Sequence, residues 1–207
     1  MSNEQVYAAG LLTRALDPAT QPTEIRAFLQ SEIEFLNAVV ADSMSVIDIG
    51  CGTGRHLAMF GDRLGLGVGV DYEHAYIVQA RLRAGSAPLL FVTGDATRLP
   101  IRTQFDLAIC MTNTWGTMDD KQGVLDEMRR CIPRSGMRVL SVFAEASVAA
   151  RCEWYRRLGH PVVEETAEYL LTQGGLRSEH FTQARLRSIV GECTIRPCTD
   201  IAYVVTF

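Results

Sequence analysis

The feature that most constrains the fold of this chain is a strand, a glycine-rich turn and a helix between Ser45 and Phe60. Val46–Ile49 is an apolar run rich in β-branched residues, which is typical of a strand buried on both faces of a parallel sheet. Three glycines follow at alternate positions: Gly50, Gly52 and Gly54. Glycine lets the backbone turn sharply and approach a ligand closely. The apolar spacing then becomes helical, so the pattern predicts a βα unit with a ligand at the helix N-terminus.

The spacing of the glycines discriminates between ligands. A phosphate-binding P-loop requires a lysine after its second glycine, and this stretch has none. A dinucleotide fingerprint requires Gly-x-Gly-x-x-Gly, and Arg55 stands where the third glycine would fall. The pattern present is Gly-x-Gly-x-Gly, which argues against both ligands.

Residues 48–54, Asp-Ile-Gly-Cys-Gly-Thr-Gly, resemble the first motif of class I S-adenosylmethionine (SAM)-dependent methyltransferases. In that family the glycine loop passes under the methionine part of SAM, and the acidic residue helps to fix the loop. The resemblance therefore implies SAM as cofactor, with S-adenosylhomocysteine (SAH) as its product. It assigns five residues of this stretch to cofactor binding: Asp48, Gly50, Cys51, Gly52 and Gly54.

A carboxylate follows the second predicted strand. The strand ends at Asp71, 21 residues after Gly50, where the second strand of a βαβ unit ends. A carboxylate there can accept hydrogen bonds from both ribose hydroxyls, and Tyr72 is placed to pack on the adenine. The alternative is an aspartate in a solvent-exposed turn.

The resemblance extends to the third and fourth strands, predicted at Leu89–Thr93 and Phe105–Met111. This family places an acid and a small residue after the third strand, where they meet the adenine amino group and a ring nitrogen. Asp95 and Ala96 match that pair. Met111, at the end of the fourth strand, is also assigned to the cofactor site.

Ligands of open α/β sheets bind outside the carboxyl ends of the strands, which places Asn113 and Trp115 where cofactor and methyl acceptor meet. The alternative is that Asn113 caps the turn and Trp115 belongs to the core. Trp154, Tyr155 and Arg157 are predicted on the acceptor side, although a buried helix stripe is the simpler interpretation. Tyr7 is the aromatic residue expected nearest a lid.

Among the histidines, His180 is the candidate catalytic base, because it lies on an added strand that we expect to face the pocket. A lone histidine is more often structural than catalytic, and both interpretations stay open.

The predicted fold is α/β, with a doubly wound, mostly parallel seven-stranded sheet whose last strand is antiparallel, and helices on both faces. We expect one domain over residues 1–207, with a helical lid at 1–43, a cofactor-binding core at 44–145 and acceptor-side additions at 146–207. The segment after Thr23 is helical, as a lid or as a plain packing helix. A β-hairpin is predicted after the fifth strand, its strands covering 162–172 and 176–181.

Composition bounds the partners and the location. The 207 residues carry a net charge of −4 without a basic run, which disfavours nucleic acid. The N-terminus lacks a signal peptide, and no apolar segment approaches the ~18 residues of a membrane span. The six cysteines form no Cys-x-x-Cys pair, so reduced thiols, no metal site and a cytoplasmic protein are expected. Monomer and homodimer both stay open.

The sequence thus predicts transfer of a methyl group from SAM to an N, O or C atom of a small metabolite. Such an in-line displacement depends mainly on positioning and on exclusion of water. The motifs of nucleic-acid amino methylases, such as Asn-Pro-Pro-Tyr, are absent. Two alternatives remain: a SAM-binding regulatory or accessory protein without catalysis, and an NAD-dependent oxidoreductase, which Arg55 disfavours.

Overall fold

The computed structural model describes residues 14–207. A seven-stranded sheet contains β1 to β5 and the last two strands, β9 and β10: Ser45–Ile49, Leu66–Asp71, Leu89–Thr93, Leu107–Cys110, Met137–Phe143, Thr194–Thr199 and Ala202–Thr206. A smaller sheet contains β6, β7 and β8: Val162–Glu165, Tyr169–Thr172 and Arg177–Glu179. The helices α1 to α6 are Thr23–Val39, Arg55–Phe60, His74–Ala84, Lys121–Cys131, Val148–Arg157 and Gln183–Val190.

The strand order of the large sheet is β3-β2-β1-β4-β5-β10-β9. The first five strands are parallel, and β10 pairs antiparallel with both β5 and β9. The order reverses beside β1, so the crevice at the carboxyl ends of β1 and β4 is the topological switch point. The prediction of a doubly wound, mostly parallel sheet with an antiparallel last strand is confirmed.

The two faces of the sheet bury separate cores. On β1, Ile47 and Ile49 pack on one face with residues of α4 and α6, while Val46 packs on the other with residues of α1, α2 and α3. This alternation follows from the period of two along a strand. Ile47 and Ile49 are fully buried, as expected for a central strand covered on both sides.

Helix α1 continues from the sheet face to the carboxyl ends of the strands. Leu36 packs with the sheet core, whereas Phe28 lies 5.0 Å from the ring of Phe143 at the end of β5. The buried positions of this helix include a carboxylate, Glu32, which is fully buried. The helical lid predicted at residues 1–43 thus lies partly outside the described residues, and its described helix packs against the strand ends.

The addition after β5 differs in one respect from the predicted hairpin. Residues 162–172 form two strands, so the small sheet has three strands, in the order β6-β7-β8. The break occurs at Thr166, whose hydroxyl oxygen accepts hydrogen bonds from the backbone N–H groups of Glu168 and Tyr169. A threonine hydroxyl that bonds its own backbone two or three residues on favours a turn over a continuous strand.

Between residues 14 and 207, none of the helices combines the length and the apolar character that crossing a bilayer requires. All six cysteines have free thiols.

Candidate functional site

A cavity of about 600 Å³ opens at the carboxyl ends of the parallel strands. Its volume lies within the range of small-molecule sites. One half of its wall follows β1, β2 and β3, and includes Gly50, Gly52, Asp71 and Asp95. The other half is contributed by β5, α5 and the small sheet, and includes Phe143 and other aromatic and aliphatic side chains. Since β2 and β5 lie three strand spacings apart, the strands at the two sides of the cavity are about 14 Å apart.

The Asp71 carboxylate is held at the end of β2 by two backbone donors. Its Oδ2 accepts a hydrogen bond from the Gly52 N–H at 2.8 Å, and its Oδ1 accepts one from the Glu73 N–H at 2.9 Å. Burial raises the pKa of this carboxyl, and the two N–H groups offset part of that rise. A carboxylate oxygen accepts more than one hydrogen bond, so both oxygens keep acceptor capacity towards the cavity.

The glycine loop and Asp95 complete this half of the cavity. Gly50, Gly52 and Gly54 adopt positive φ angles of 72°, 52° and 74°, which only glycine adopts without strain. Asp95 Oδ1 accepts hydrogen bonds from the backbone N–H and the hydroxyl of Thr97, both at 2.8 Å, so its orientation is fixed. The carboxylates and the loop form a donor and acceptor set that suits a nucleoside with two free ribose hydroxyls.

Two left-handed residues follow β4. Thr112 and Asn113 have φ angles of 56° and 55°, which are uncommon for residues other than glycine. The Asn113 side chain accepts from the Phe143 N–H at 3.0 Å and donates to the Ser178 hydroxyl at 3.1 Å. It therefore ties the end of β4 to the end of β5 and to β8, and it lines the cavity where the two halves meet.

The second half of the cavity is mainly aromatic. Trp154 stacks on Tyr155 with ring centroids 5.8 Å apart, and its edge meets Phe143 at 6.5 Å. Leu158 and Leu176 add aliphatic surface. The polar groups there are few, as in most small-molecule sites.

A buried polar cluster lies beneath the junction of the two halves, centred on Glu32 of α1. One carboxylate oxygen accepts from the backbone N–H of Thr112 and from the hydroxyl of Ser141. The other accepts from the Thr112 hydroxyl at 2.8 Å and pairs with the Arg55 guanidinium at 3.3 Å. Burial raises the pKa of the Glu32 carboxyl, but the hydrogen bonds and charges of His56, Arg55 and Ser141 outweigh burial and lower it overall.

The structure brings nine of the predicted site residues to the cavity wall: Gly50, Gly52, Asp71, Tyr72, Asp95, Ala96, Asn113, Trp154 and Tyr155. Four predicted cofactor residues do not line the cavity. Cys51 and Met111 are buried in the core beneath it, and Gly54 precedes α2. Asp48 is buried, with its Oδ2 3.7 Å from His56 Nδ1.

The structure does not bring the predicted residues Trp115, Arg157 and His180 to the cavity. Trp115 is fully buried, stacks on Phe181 at 5.2 Å and donates to the Lys121 carbonyl, as the core alternative expects. Arg157 is partly exposed at the end of α5 and pairs with Glu153 at 2.7 Å. Tyr7 lies outside the described residues.

His180 is buried at the end of β8, and both its ring nitrogens are engaged by protein groups. The Arg151 guanidinium lies 3.2 Å from Nδ1, and a hydrogen bond connects the ring to the backbone of Ala167. Burial, followed by the charge of Arg151, lowers the pKa of the imidazole, which keeps it neutral. This placement matches the structural interpretation of a lone histidine.

Sequence reasoning missed Ser178 in the cavity wall and Glu32 beneath it, whereas Tyr155, named on the acceptor side, does line the cavity. Glu32 carries a usable signal, because it follows Ile25 and Phe28 on the buried stripe of α1, where a charged residue is out of place. Ser178 reaches the cavity only through the packing of the small sheet on α5, and no local pattern identifies it.

The charged side chains on the described part of the cavity wall are all acidic: Asp71, Asp95, Asp119 and Asp120. Within residues 14–207, no group of three or more His, Cys, Asp or Glu residues is arranged to hold a metal ion. The electrostatic character of the cavity therefore favours a cationic ligand.

Comparison with known proteins agrees with this geometry. A family described as "Methyltransferase domain" matches residues 46–136, which run from β1 to the turn before β5. A comparison with curated proteins gave no match.

Solved structures share the fold at low identity. A SAM-dependent methyltransferase from Clostridium acetobutylicum is 14% identical, covers 87% of this chain and 90% of its own, and has a TM-score of 0.62. The DhpI-SAM-HEP complex is 15% identical over 100% of this chain and 98% of its own, with a TM-score of 0.68. A putative methyltransferase in complex with the Trm112 activator of Haloferax volcanii is 17% identical over 100% and 97%, with a TM-score of 0.67.

These findings confirm the predicted resemblance to class I SAM-dependent methyltransferases, by the family match over residues 46–136 and by the fold. The cofactor implied by the resemblance agrees with them, because DhpI was solved with SAM and with SAH.

Proposed function

We propose that this protein transfers a methyl group from SAM to an N, O or C atom of a small metabolite. The observation that carries the proposal is the Asp71 carboxylate, oriented by the Gly52 and Glu73 N–H groups at one wall of a cavity that continues into an aromatic half. A ribose without a 2′-phosphate presents two hydroxyls that match such a carboxylate. The aromatic half leaves room for a second molecule, which favours an enzyme over a protein that only binds SAM.

The residues of the chain act mainly by positioning. Asp71 and Tyr72 hold the nucleoside, Asp95 and Ala96 meet the adenine, and the turn at Gly50 and Gly52 passes close to the amino-acid part of the cofactor. Bound SAM supplies an electrophilic methyl group on a positively charged sulfur. Holding two reactants in line can supply a large part of a rate enhancement.

The electron balance of the step is simple. The acceptor atom forms a bond to the methyl carbon while the carbon–sulfur bond breaks, and its electron pair stays on sulfur to give SAH. A proton on the acceptor, where there is one, leaves to water. Phe143, Trp154 and Tyr155 limit the access of water to the reacting atoms, which suits this displacement.

Calorimetric titration with SAH, and with NAD for comparison, tests cofactor binding. We expect SAH to bind and NAD not to bind, because Arg55 replaces the third glycine of a dinucleotide site. Incubation with methyl-labelled SAM and a panel of metabolites then separates an enzyme, which yields labelled product, from a SAM-binding accessory protein. Binding of NAD without SAH would contradict the proposal. The cytoplasmic location and the oligomeric state stay predictions from the sequence.

A further inference from the structure

The acceptor half of the cavity contains a hydroxyl hydrogen that has no acceptor among residues 14–207. Tyr155 and Ser178 both line the cavity, and their oxygens lie 2.9 Å apart. Ser178 is 1% exposed, and its oxygen also accepts a hydrogen bond from the Asn113 side-chain amide at 3.1 Å.

The Tyr155–Ser178 hydroxyl pair can donate one hydrogen bond to a ligand. The two hydroxyls carry two hydrogens, and only one of them lies in the bond between the oxygens. Among the described residues, neither hydroxyl donates to another acceptor. One O–H therefore remains, whichever way the shared bond runs. A buried donor without an acceptor is unfavourable, and a cavity ligand with an oxygen acceptor would satisfy it.

The charged side chains on the described cavity wall disfavour an anionic methyl acceptor. All four charged side chains on its described wall are carboxylates. The guanidinium of Arg151 lies behind the wall, 4.7 Å from the Phe143 ring, and donates to the Ser178 carbonyl. Arg151 has no exposed surface, so it offers no contact to a molecule in the cavity. Burial of an anion without a paired cation is strongly unfavourable.

The aromatic walls define the shape that fits. Trp154 and Tyr155 stack almost in parallel, at an interplanar angle of 15°, and Phe143 meets Trp154 edge-on at 77°. Aromatic side chains in these orientations accommodate a flat ring by stacking or by edge-to-face contact.

We propose that the methyl acceptor is a flat, largely apolar molecule without an anionic group that presents an oxygen acceptor to the Tyr155–Ser178 hydroxyl pair. This inference rests on the proposed function, because it assigns the aromatic half of the cavity to the acceptor. It makes the pair a specificity determinant and leaves the transfer step to positioning.

Three isosteric probes test the inference on the SAH-loaded protein: acetophenone, benzoate and ethylbenzene. Acetophenone is neutral and carries a carbonyl oxygen, benzoate is an anion of nearly the same shape, and ethylbenzene lacks the oxygen. Ligand-detected NMR titration gives the three affinities. We expect acetophenone to bind at least about tenfold more tightly than benzoate, and several-fold more tightly than ethylbenzene.

The double substitution Tyr155→Phe with Ser178→Ala removes both hydroxyls. We expect the affinity for acetophenone to fall to that for ethylbenzene, while SAH affinity, which depends on the other half of the cavity, stays the same. The control Ser188→Ala lies on the exposed side of α6 and should bind every probe like the wild type.

Equal binding of benzoate and acetophenone would overturn the inference. So would retention of acetophenone affinity in the double variant, or the failure of all three probes to bind the SAH-loaded protein. If SAH itself does not bind, the proposed function fails first, and the two failures are therefore distinguishable.

Discussion

At the scale of single residues, two buried carboxylates with different roles stand out. Asp71 faces the cavity and accepts two backbone hydrogen bonds, so its position is fixed before a ligand arrives. Glu32 lies beneath the cavity and accepts hydrogen bonds from segments after β4 and within β5. We propose a binding role for Asp71, whereas Glu32 connects α1 to the ends of the strands.

Replacement of Asp71 tests its role in binding. In Asp71→Asn an amide N–H₂ would face one of the two backbone N–H donors, and the charge that favours the ribose hydroxyls is lost. We expect SAH to bind roughly 10- to 100-fold more weakly, because the charge-assisted hydrogen bonds to the ribose are lost. Calorimetry measures this change, with the exposed Asp62→Asn as control. Equal SAH affinity of wild type and Asp71→Asn would contradict the assignment.

Replacement of Glu32 tests its role in stability. Glu32→Gln removes the charge partner of Arg55 and turns one acceptor oxygen into a donor that faces other donors. The loss of one partner of a buried ion pair costs about 3–5 kcal/mol, and we expect a decrease near the lower value because Arg55 is partly exposed. Urea denaturation measures the free energy of unfolding. The exposed Glu34→Gln on the same helix should stay within about 0.5 kcal/mol of wild type.

The stabilisation by Glu32 should depend on pH. Because its pKa in the folded protein lies below the ordinary value of 4.5, its contribution is complete above that value and is lost as the pH falls through the folded pKa. We therefore expect the full difference in unfolding free energy between wild type and Glu32→Gln at pH values just above 4.5. The difference should shrink as the pH falls below 4.5. A difference that grows on acidification would refute the sign of this shift.

At the scale of elements, the glycine turn between β1 and α2 combines a backbone and a packing requirement. Gly50 has φ +72°, and a Cβ there would lie 2.3 Å from Thr114 Cγ2. Gly85 at the end of α3 also has a positive φ, +58°, but a Cβ there would meet no atom within 4 Å. A substitution at Gly85 therefore tests the cost of the backbone conformation alone, whereas a substitution at Gly50 adds a steric clash with Thr114.

The variants Gly50→Ala and Gly85→Ala make use of this pair. We expect Gly85→Ala to lose about 1–3 kcal/mol of stability, the cost of a backbone conformation (φ 58°, ψ −129°) that is sparsely populated by L-residues, and to bind SAH normally. Gly50→Ala should lose more, because Thr114 must also move, and should weaken SAH binding at least about tenfold. Denaturation and calorimetry report the two effects. Similar losses in both variants would show that packing around the turn is unimportant.

The elements that could be predicted from the sequence are those determined by residues close together in the chain. The strand–turn–helix at β1 and α2 depends on residues within about one turn of each other, so its pattern is visible in the chain. The third strand of the small sheet was missed because the Thr166 turn depends on a side-chain hydrogen bond rather than on glycine or proline. His180 was chosen among the histidines because its strand was expected to face the pocket, yet it is Ser178 of the same segment that reaches the cavity, through tertiary packing.

At the scale of the whole molecule, the cavity wall and the protein both carry a net negative charge. The chain carries a net charge of −4, and the charged groups on the described cavity wall are four carboxylates. A positively charged sulfonium is attracted to such a site, whereas the thioether of the product is not. The negative electrostatic potential of the cavity therefore favours binding of SAM over binding of SAH.

Salt should weaken SAM binding more than SAH binding. When ionic strength rises from about 0.02 M to about 0.5 M, screening should lower SAM affinity by about three- to tenfold and leave SAH affinity within about twofold. Asp119→Asn, at an exposed lining position, should reduce the salt dependence for SAM, and Asp62→Asn should reduce it less. An equal response of both ligands would exclude this electrostatic preference.

The hydrogen bonds of Glu32 also bear on where this chain can be divided. The segment matched by the methyltransferase family, residues 46–136, contains the glycine turn and the cavity-lining carboxylates of Asp71 and Asp95, yet excludes α1 and β5. Excision at these borders would remove Glu32 and Ser141 and leave Thr112 and Arg55 without them. The segment that matches the methyltransferase family is thus smaller than the unit that the Glu32 hydrogen bonds hold together. We expect residues 46–136, produced alone or inserted into another protein, to be unstable.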